Sequence, residues 1–553
     1  MEASAVYQEW LQNPLINEGD RTYLESIKEE ETLIEELFYR NLVFGTAGMR
    51  GIIGIGTNRI NIYQVAKATQ AYANALSQLG FNKKGIVIAY DTRNFSKEFA
   101  EEAARVLLQN DIKVYLFDDI CSVPELSFAV RHLDTDGGIV ITASHNPKEY
   151  NGYKIYSSYG GQLVPGDMEP IIKAFNKIES FSSIRIYSGE LYDHPLMVSI
   201  GKEVHEAYYK ALLKTSISDD INKNIRIVYS PIHGTGMRCV PEILKRRGFV
   251  NIDIVQEQNL PDISFSTVKV PNPENEETLT MAVNLAKKKD ADLVLATDPD
   301  CDRVGIAVKD EQGRYTLLNG NQIGALLIDY IVHAGQLPEN AVMIQTVVTS
   351  GLGKNIAEAG GVEVLEVLTG FKYIGEKMTE FEQKKNKNFI LGYEESYGYL
   401  SGNHARDKDA ANACMLLAEM AGYYQLRGSS IYQRLTQIYH QHGYYNEKLH
   451  NITFDGIDGM NKMGKILDML RANPFSTIDN EPVSVTDYMY DETGLPKENV
   501  LKYNMESGSW VALRPSGTEP KFKIYFSAVA ETQSLSIEKC NRMLEQIVKE
   551  IEN

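Results

Sequence analysis

At 553 residues the chain exceeds what one hydrophobic core supports, so three or four domains are expected. Apolar residues make up 43% and charged residues 24%, a globular composition that argues against a largely disordered chain. Lys and Arg total 56 against 74 Asp and Glu, and a formal charge of −18 disfavours nucleic acid unless basic residues are segregated; no basic run is long enough for that.

In chain order, Met1 to Leu15 carries acidic residues without an apolar core, which does not read as a signal peptide. No stretch of about 18 apolar residues is present to span a bilayer. A pattern then recurs three times: short β-branched apolar runs, expected to be buried strands, separated by helical periodicity. The runs are 86–90, 113–117 and 138–142; then 225–229, 252–255 and 292–297; then 341–347, 362–367 and 388–393. Strands alternating with helices imply α/β domains with mixed, largely parallel sheets. After the third run of each copy comes a polar cluster: Thr-Ala-Ser-His-Asn-Pro at 142–147, Asp-Pro-Asp-Cys-Asp-Arg at 298–303, and Glu-Glu-Ser-Tyr-Gly at 394–398. Ligands in α/β sheets bind beyond the carboxyl ends of strands, so three such ends in register point to one shared cleft.

The last hundred residues differ. Strands are expected at 510–513 and 521–527 around Arg-Pro-Ser-Gly-Thr-Glu-Pro at 514–520, with amphipathic helices near 460–470 and 536–551. The expected architecture is therefore three repeated α/β domains, 1–205, 206–320 and 321–440, plus a smaller C-terminal α+β domain, 441–553, around a central cleft. The cysteines, Cys121, Cys239, Cys301, Cys414 and Cys540, are scattered and odd in number, which fits a reducing, cytoplasmic compartment better than a disulfide framework or a structural zinc site.

Asp298, Asp300 and Asp302 alternate just after a strand, and three such carboxylates repel one another unless a cation neutralises them. Oxygen-only ligands suit a hard cation such as Mg²⁺. An EF-hand is ruled out by Arg303 at its sixth position and Lys309 at its twelfth. The planar fork of Arg303 suits either charge balance or a phosphate. Ser144 offers a strand-end hydroxyl beside His145, without the elbow of a serine hydrolase, and adjacent side chains are expected to point apart. Arg514, two hydroxyls and the backbone around Gly517 suit a phosphate dianion. Gly-Leu-Gly-Lys at 351–354 has Asn355 where a nucleotide-binding phosphate loop needs Ser or Thr.

The motifs at 142–147, 298–303, 392–398 and 514–520, in this order, closely resemble the α-D-phosphohexomutase superfamily. Phe-Gly-Thr-Ala-Gly-Met-Arg-Gly at 44–51 further resembles its phosphoglucomutase branch, which also includes phosphopentomutases. The resemblance covers about residues 40 to 530. It implies that Ser144 is the phosphoserine and that its phosphate, with Asp298, Asp300 and Asp302, holds Mg²⁺. It implies that Arg50, His145, Lys154 and Arg303 surround the moving phosphoryl group. Glu394 and Ser396 would bind sugar hydroxyls with Thr369, Gly370 and Lys408 nearby, Lys372 would be a phosphate contact or a solvated helix-start lysine, and Arg514, Ser516, Gly517 and Thr518 would grip the other phosphate. Phosphomannomutase/phosphoglucomutase relatives often carry a histidine where this chain has Gly398, which leaves Lys154, His404 and Lys408 as candidates for the general base.

The implied reaction interconverts glucose 1-phosphate and glucose 6-phosphate through a phosphoserine enzyme, with glucose 1,6-bisphosphate as intermediate and activator. Partners are small sugar phosphates, with no nucleic acid or membrane expected. A phosphopentomutase shares these motifs. A phosphomannomutase fits the Arg50 region less well, and a non-catalytic sugar-phosphate sensor would have no use for an intact phosphoryl acceptor.

Overall fold

The computed structural model describes residues 3–45, 48–81, 83–454, 456–515 and 521–552. Three helices open the chain, Ala3–Gln12, Glu18–Ser26 and Glu31–Phe38. Their apolar faces close on a small core of their own, in which Trp10 stands edge-on to Phe38, Tyr63 and Phe181. This helical cap precedes the repeating pattern and was not part of the expected elements.

The chain then builds one four-strand unit three times. The strands are Ile86–Tyr90, Val114–Phe117, Gly137–Ile141 and Tyr150–Ser157; Ile227–Ser230, Ile252–Ile254, Leu293–Thr297 and Val304–Lys309; and Ala341–Thr346, Glu363–Val367, Asn388–Glu394 and Gly398–Leu400. Each unit has the spatial order fourth, third, first, second. The first three strands pair in parallel. Their first and third strands are apolar runs buried on both faces, as a sheet covered by helices requires. The fourth strand, which sequence reading missed, runs antiparallel to the third. Strand limits otherwise shift by a residue or two. Thr142, for example, lies just beyond the strand, with its hydroxyl hydrogen-bonded to Asp91 and Asp300.

That antiparallel return positions the polar clusters. The chain must reverse immediately at the carboxyl end of the third strand, and each turn contains one non-glycine residue in the left-handed region: Ser144 at φ 53°, Cys301 at 54° and Tyr397 at 65°. One continuous apolar core runs through all three units, joining Leu126, Ile243 and Met343, with the almost wholly buried helix Ala410–Leu426 wedged among them. The three turns therefore sit on one shared foundation.

The C-terminal region is a six-stranded antiparallel sheet made of Tyr444–Thr453, Thr477–Ile478, Glu481–Asp487, Leu501–Met505, Trp510–Pro515 and Lys521–Ala530. Alternation along Lys521–Ala530 sends Phe522, Ile524, Phe526 and Ala528 into a core shared with the helix Gln533–Glu552. Trp510, Ala512 and Tyr525 face the other way and pack on Val347, Val348, Leu368 and Phe371 of the third unit. No helix among the described residues is long and apolar enough to cross a membrane.

Candidate active site

The second polar turn is bonded through its backbone to both neighbouring units. Val123 N–H donates to the Asp300 carbonyl at 2.9 Å, Val304 N–H to that of Tyr397 at 3.1 Å, and Ala410 N–H to that of Cys301 at 3.2 Å. Arg303 and Gly398 also form an isolated antiparallel bridge. Above these turns lies a cavity of about 810 Å³, walled on its far side by the C-terminal sheet.

Ser144 forms the floor, 2% exposed. Its Oγ lies 3.0 Å from Asp298 Oδ2, and its N–H donates to Thr142 Oγ1 at 2.8 Å. A left-handed serine costs on the order of 1–3 kcal/mol and persists only where its surroundings over-determine it. That backbone corrects the expectation that Ser144 and His145 point apart: at φ 53° the chain folds back, and Ser144 Oγ is 3.2 Å from His145 Nδ1. Burial, then Arg303, Arg50, Arg93 and Lys154, push His145 well below the usual imidazole range, so the ring is neutral. Gly152, on the adjoining strand, lets the turn approach; a Cβ there would stand 2.4 Å from the Thr142 carbonyl oxygen. Arg50, on the strand Gly48–Ile52, pairs with that glycine and reaches over the turn to Asn146 Oδ1 at 2.9 Å.

Asp298, Asp300 and Asp302 are buried, and one oxygen from each lies within 4.8 Å of the others. Asp298 Oδ1 accepts the N–H groups of Asp302 and Arg303. Asp300 Oδ1 and Asp302 Oδ1 are buried with no hydrogen-bond partner. Burial, then Asp300 and Asp302, push Asp298 far above the usual carboxylate range. An all-oxygen set with orphaned lone pairs and uncompensated repulsion fits a hard divalent cation.

Two lysines border the acids. Lys154 Nζ lies 3.4 Å from Asp300 Oδ2. Lys408 Nζ lies 3.0 Å from Asp302 Oδ2 and 3.1 Å from Asp407 Oδ1. Burial works against the Lys408 charge, but Asp302, Asp407 and Glu394 outweigh it, so Lys408 stays an ammonium and is a poor proton acceptor. The reciprocal effect, against burial, holds Asp302 at about 2 through Lys408, Lys154 and Arg303. Gly398 makes this arrangement possible, since a Cβ there would lie 2.1 Å from Lys408 Cδ. The space beside Gly398 is thus filled by the Lys408 stem. His404 is a correction. Its ring binds Asp409 Oδ2 at 2.7 Å and faces a different cavity, lined by Thr215, Gly335 and Pro338, so it cannot serve this cleft as a base.

The remaining candidates line the cavity from the third unit and the C-terminal sheet. Glu394 ends its strand and accepts the Gly370 N–H at 2.9 Å. Ser396 and Thr369 adjoin it, and Thr369 Oγ1 is buried without a hydrogen-bond partner. Lys372 is on the first turn of the helix Phe371–Lys384, and burial lowers its pKa despite Glu498. Arg303 also lines the cavity, held by Glu274 at 2.6 Å. Arg514 Nε donates to Glu498 Oε1 at 2.8 Å. Ser516, Gly517 and Thr518 lie outside the described residues.

Sequence reading missed Lys521, Lys523, Glu274, Glu395 and Glu447, all on the cavity wall. Lys521 and Lys523 were detectable in principle, being two apart on a strand directly after a phosphate-type loop. Glu395 is pushed up to about 7 by burial and then by Glu394. Among the described residues, nine Lys and Arg side chains line the cavity against five acids. An acidic protein therefore encloses a cationic pocket suited to a phosphorylated ligand.

Comparison with known proteins gives a consistent result. Residues 41–182, 206–313 and 319–440 match the α/β/α domains I, II and III of phosphoglucomutase/phosphomannomutase. A phosphoglucomutase of Staphylococcus aureus is 38% identical, the alignment covering 96% of this chain and 97% of the relative. A phosphoglucomutase of Staphylococcus epidermidis is 37% identical over 93% and 97%. In fold, the open form of the Paramecium phosphoprotein parafusin, a phosphoglucomutase, aligns with a TM-score of 0.70 at 20% identity, covering 93% of this chain and 95% of that one. A phosphoglucomutase/phosphomannomutase family protein of Burkholderia thailandensis aligns at 0.69 and 18% identity, over 92% and 97%.

Proposed function

The chain belongs to the phosphoglucomutase/phosphomannomutase family and is a mutase enzyme, and from that premise we propose that it interconverts glucose 1-phosphate and glucose 6-phosphate by way of phosphorylated Ser144. The observation that carries this reading is the Ser144 hydroxyl at the floor of a cationic cavity of about 810 Å³, 3.0 Å from a carboxylate of a buried acid triad.

Phosphoserine 144 transfers its phosphoryl group to the free sugar hydroxyl. The O–P bond to Ser144 breaks as one to the sugar forms, giving glucose 1,6-bisphosphate. After the bisphosphate turns end for end, Ser144 Oγ takes up the other phosphoryl group and the isomer leaves. Asp298, Asp300 and Asp302, with the Ser144 phosphate, would hold Mg²⁺, which when bound supplies positive charge beside the transferring group. Arg50, Lys154 and Arg303 add fixed positive charge at the same end, and such a transfer depends mainly on positioning and electrostatics. His145, as neutral imidazole, is suited to donate or accept a hydrogen bond at the serine oxygen. Of the three candidate bases, Lys154 is the one that both lines the cavity and is not clamped between two carboxylates.

Glu394, with Ser396 and the Thr369–Gly370 backbone, holds sugar hydroxyls in either orientation. Lys372, Arg514, Lys521, Lys523 and the 516–518 loop take the phosphate that stays in place. Five free, buried cysteines suit a reducing cytoplasm. The deciding experiment measures kcat/KM on glucose 1-phosphate and ribose 1-phosphate, alongside the intact mass of enzyme treated with glucose 1,6-bisphosphate. A phosphorylated population that disappears in Ser144→Ala, with preference for the hexose, is expected. Higher kcat/KM on the pentose would make the enzyme a phosphopentomutase, and no phosphoenzyme at all would remove the carrier role of Ser144.

A further inference from the structure

Arg93 is 3% exposed, does not line the cavity, and belongs to no motif recognised in the sequence. Nevertheless both terminal nitrogens of its guanidinium are committed around the Ser144 turn. Nη2 donates to the carbonyls of Ser144 and Asn146, both at 2.5 Å. Nη1 donates to those of Pro147 at 2.8 Å and Tyr150 at 3.1 Å. Nε lies 3.3 Å from Asp91 Oδ2. The same Asp91 accepts the Arg93 N–H and the Ser96 hydroxyl on Oδ1, and the Thr142 hydroxyl on Oδ2 at 2.7 Å. Thr142 Oγ1 in turn accepts the Ser144 N–H.

Both peptide groups of Ser144 are therefore fixed by one buried pair, the carbonyl directly by Arg93 and the amide through Thr142 and Asp91. Fixing both fixes φ and ψ, which a strained left-handed serine needs. The second unit closes this arrangement off from solvent: the ring of Phe265, itself 1% exposed, lies 5.1 Å from the guanidinium carbon.

We propose that Arg93 is a positioning residue for phosphoryl transfer, a guanidinium clasp that holds the Ser144 turn so that Oγ faces the acid triad. This rests on the reading of Ser144 as phosphoryl carrier. A simple buried ion pair with Asp91 is the competing explanation, and chemistry separates the two. Lysine would satisfy an ion pair, but its three donors on a single nitrogen cannot bind four diverging carbonyls.

The test compares Arg93→Ala and Arg93→Lys with wild type for kcat, KM, melting temperature and phosphorylation of Ser144 by glucose 1,6-bisphosphate. Misplacing a reacting atom by about an ångström costs roughly 100-fold in rate, so a kcat loss of that order is expected in both variants, with KM within about twofold because Arg93 touches no substrate. Free guanidinium at sub-denaturing concentration should restore part of the Arg93→Ala turnover without raising its melting temperature. Should both variants fail to fold, Thr142→Val keeps the shape and removes the oxygen that receives the Ser144 N–H and donates to Asp91 and, at 3.1 Å, to Asp300 Oδ2; about a tenfold loss of kcat that persists at saturating Mg²⁺ is expected. Arg93→Lys turning over near the wild-type rate overturns the clasp, as does an Arg93→Ala deficit that merely tracks the unfolded fraction, or a fully active Thr142→Val. Wild-type enzyme that turns over without phosphorylating Ser144 overturns the carrier reading instead, and with it any catalytic role for the clasp.

Discussion

The two ends of the cavity are built differently. At the Ser144 end the serine and the three aspartates are buried, and the 298–303 turn beside them is tied by backbone hydrogen bonds to the units on either side. At the Arg514 end the wall is a separate antiparallel sheet, docked on the third unit by an apolar seam and by Lys502, whose ammonium donates to the Val347 carbonyl at 2.8 Å. Its cations, Lys448, Arg514, Lys521 and Lys523, stand on three neighbouring strands, and Arg514 keeps about a quarter of its side chain exposed. A rigid floor suits chemistry that depends on distances, whereas a docked wall suits recognition of whichever phosphate is remote. Binding energy gathered at the wall can then serve the reaction at the floor.

The sharpest way to break this contrast is Ser144→Ala. Turnover should fall to background while melting temperature changes little, since one hydroxyl adds little stability. Steady-state assays and a thermal melt check both, and near-normal turnover would remove the floor from the reaction. Chelation acts at the same end: EDTA should abolish activity and Mg²⁺ restore it. A requirement for zinc would contradict the all-oxygen donor set.

Arg514→Ala tests the wall. Losing a charge-assisted contact worth about 1.5–3 kcal/mol should lower kcat/KM by roughly 10- to 100-fold, with Ser144 phosphorylation by the bisphosphate less affected than net mutase turnover. Equal loss of both would mean that floor and wall are not separable. Gly398→Ala sits on the floor. A Cβ 2.1 Å from Lys408 Cδ must displace that lysine from Asp302, so about a tenfold loss of kcat and 1–3 kcal/mol of stability are expected.

The smallest effect belongs to Glu447, on the wall. Its Oε1 is buried without a hydrogen-bond partner, and burial raises its pKa to about 7. A folded-state pKa above the unfolded value of about 4.3 favours the protonated form, so the stability it contributes is full below about pH 4 and lost as pH rises through about 7. Glu447→Gln should therefore raise stability at pH 8 by about 1–2 kcal/mol and change it little at pH 4. Melting temperatures at the two pH values check this, and equal shifts at both would contradict it.

The repeats were legible because buried parallel strands are continuous apolar runs, and three such triplets with polar turns can be counted without any tertiary information. Asp298, Asp300 and Asp302 were legible for a similar reason: their repulsion is local, set by two-residue spacing. The opening helices were missed because a cap with a core of its own shares no pattern with the repeat. Arg93 was missed because Tyr-Asp-Thr-Arg-Asn at 90–94 is an ordinary run, and its four carbonyl partners lie about fifty residues downstream.

Local periodicity and local charge thus determined the class of fold, the number of repeats and the acid cluster. Tertiary structure decided what required one chain segment to meet another: that His145 folds back on Ser144, that His404 faces away, that the Lys408 stem fills the space over Gly398, and that the Ser144 turn is held through its own peptide groups. The physical reason is that strand burial and carboxylate repulsion act between near neighbours in sequence. Hydrogen-bond geometry and burial at a cleft depend on partners that only the packed core brings within 3 Å of one another.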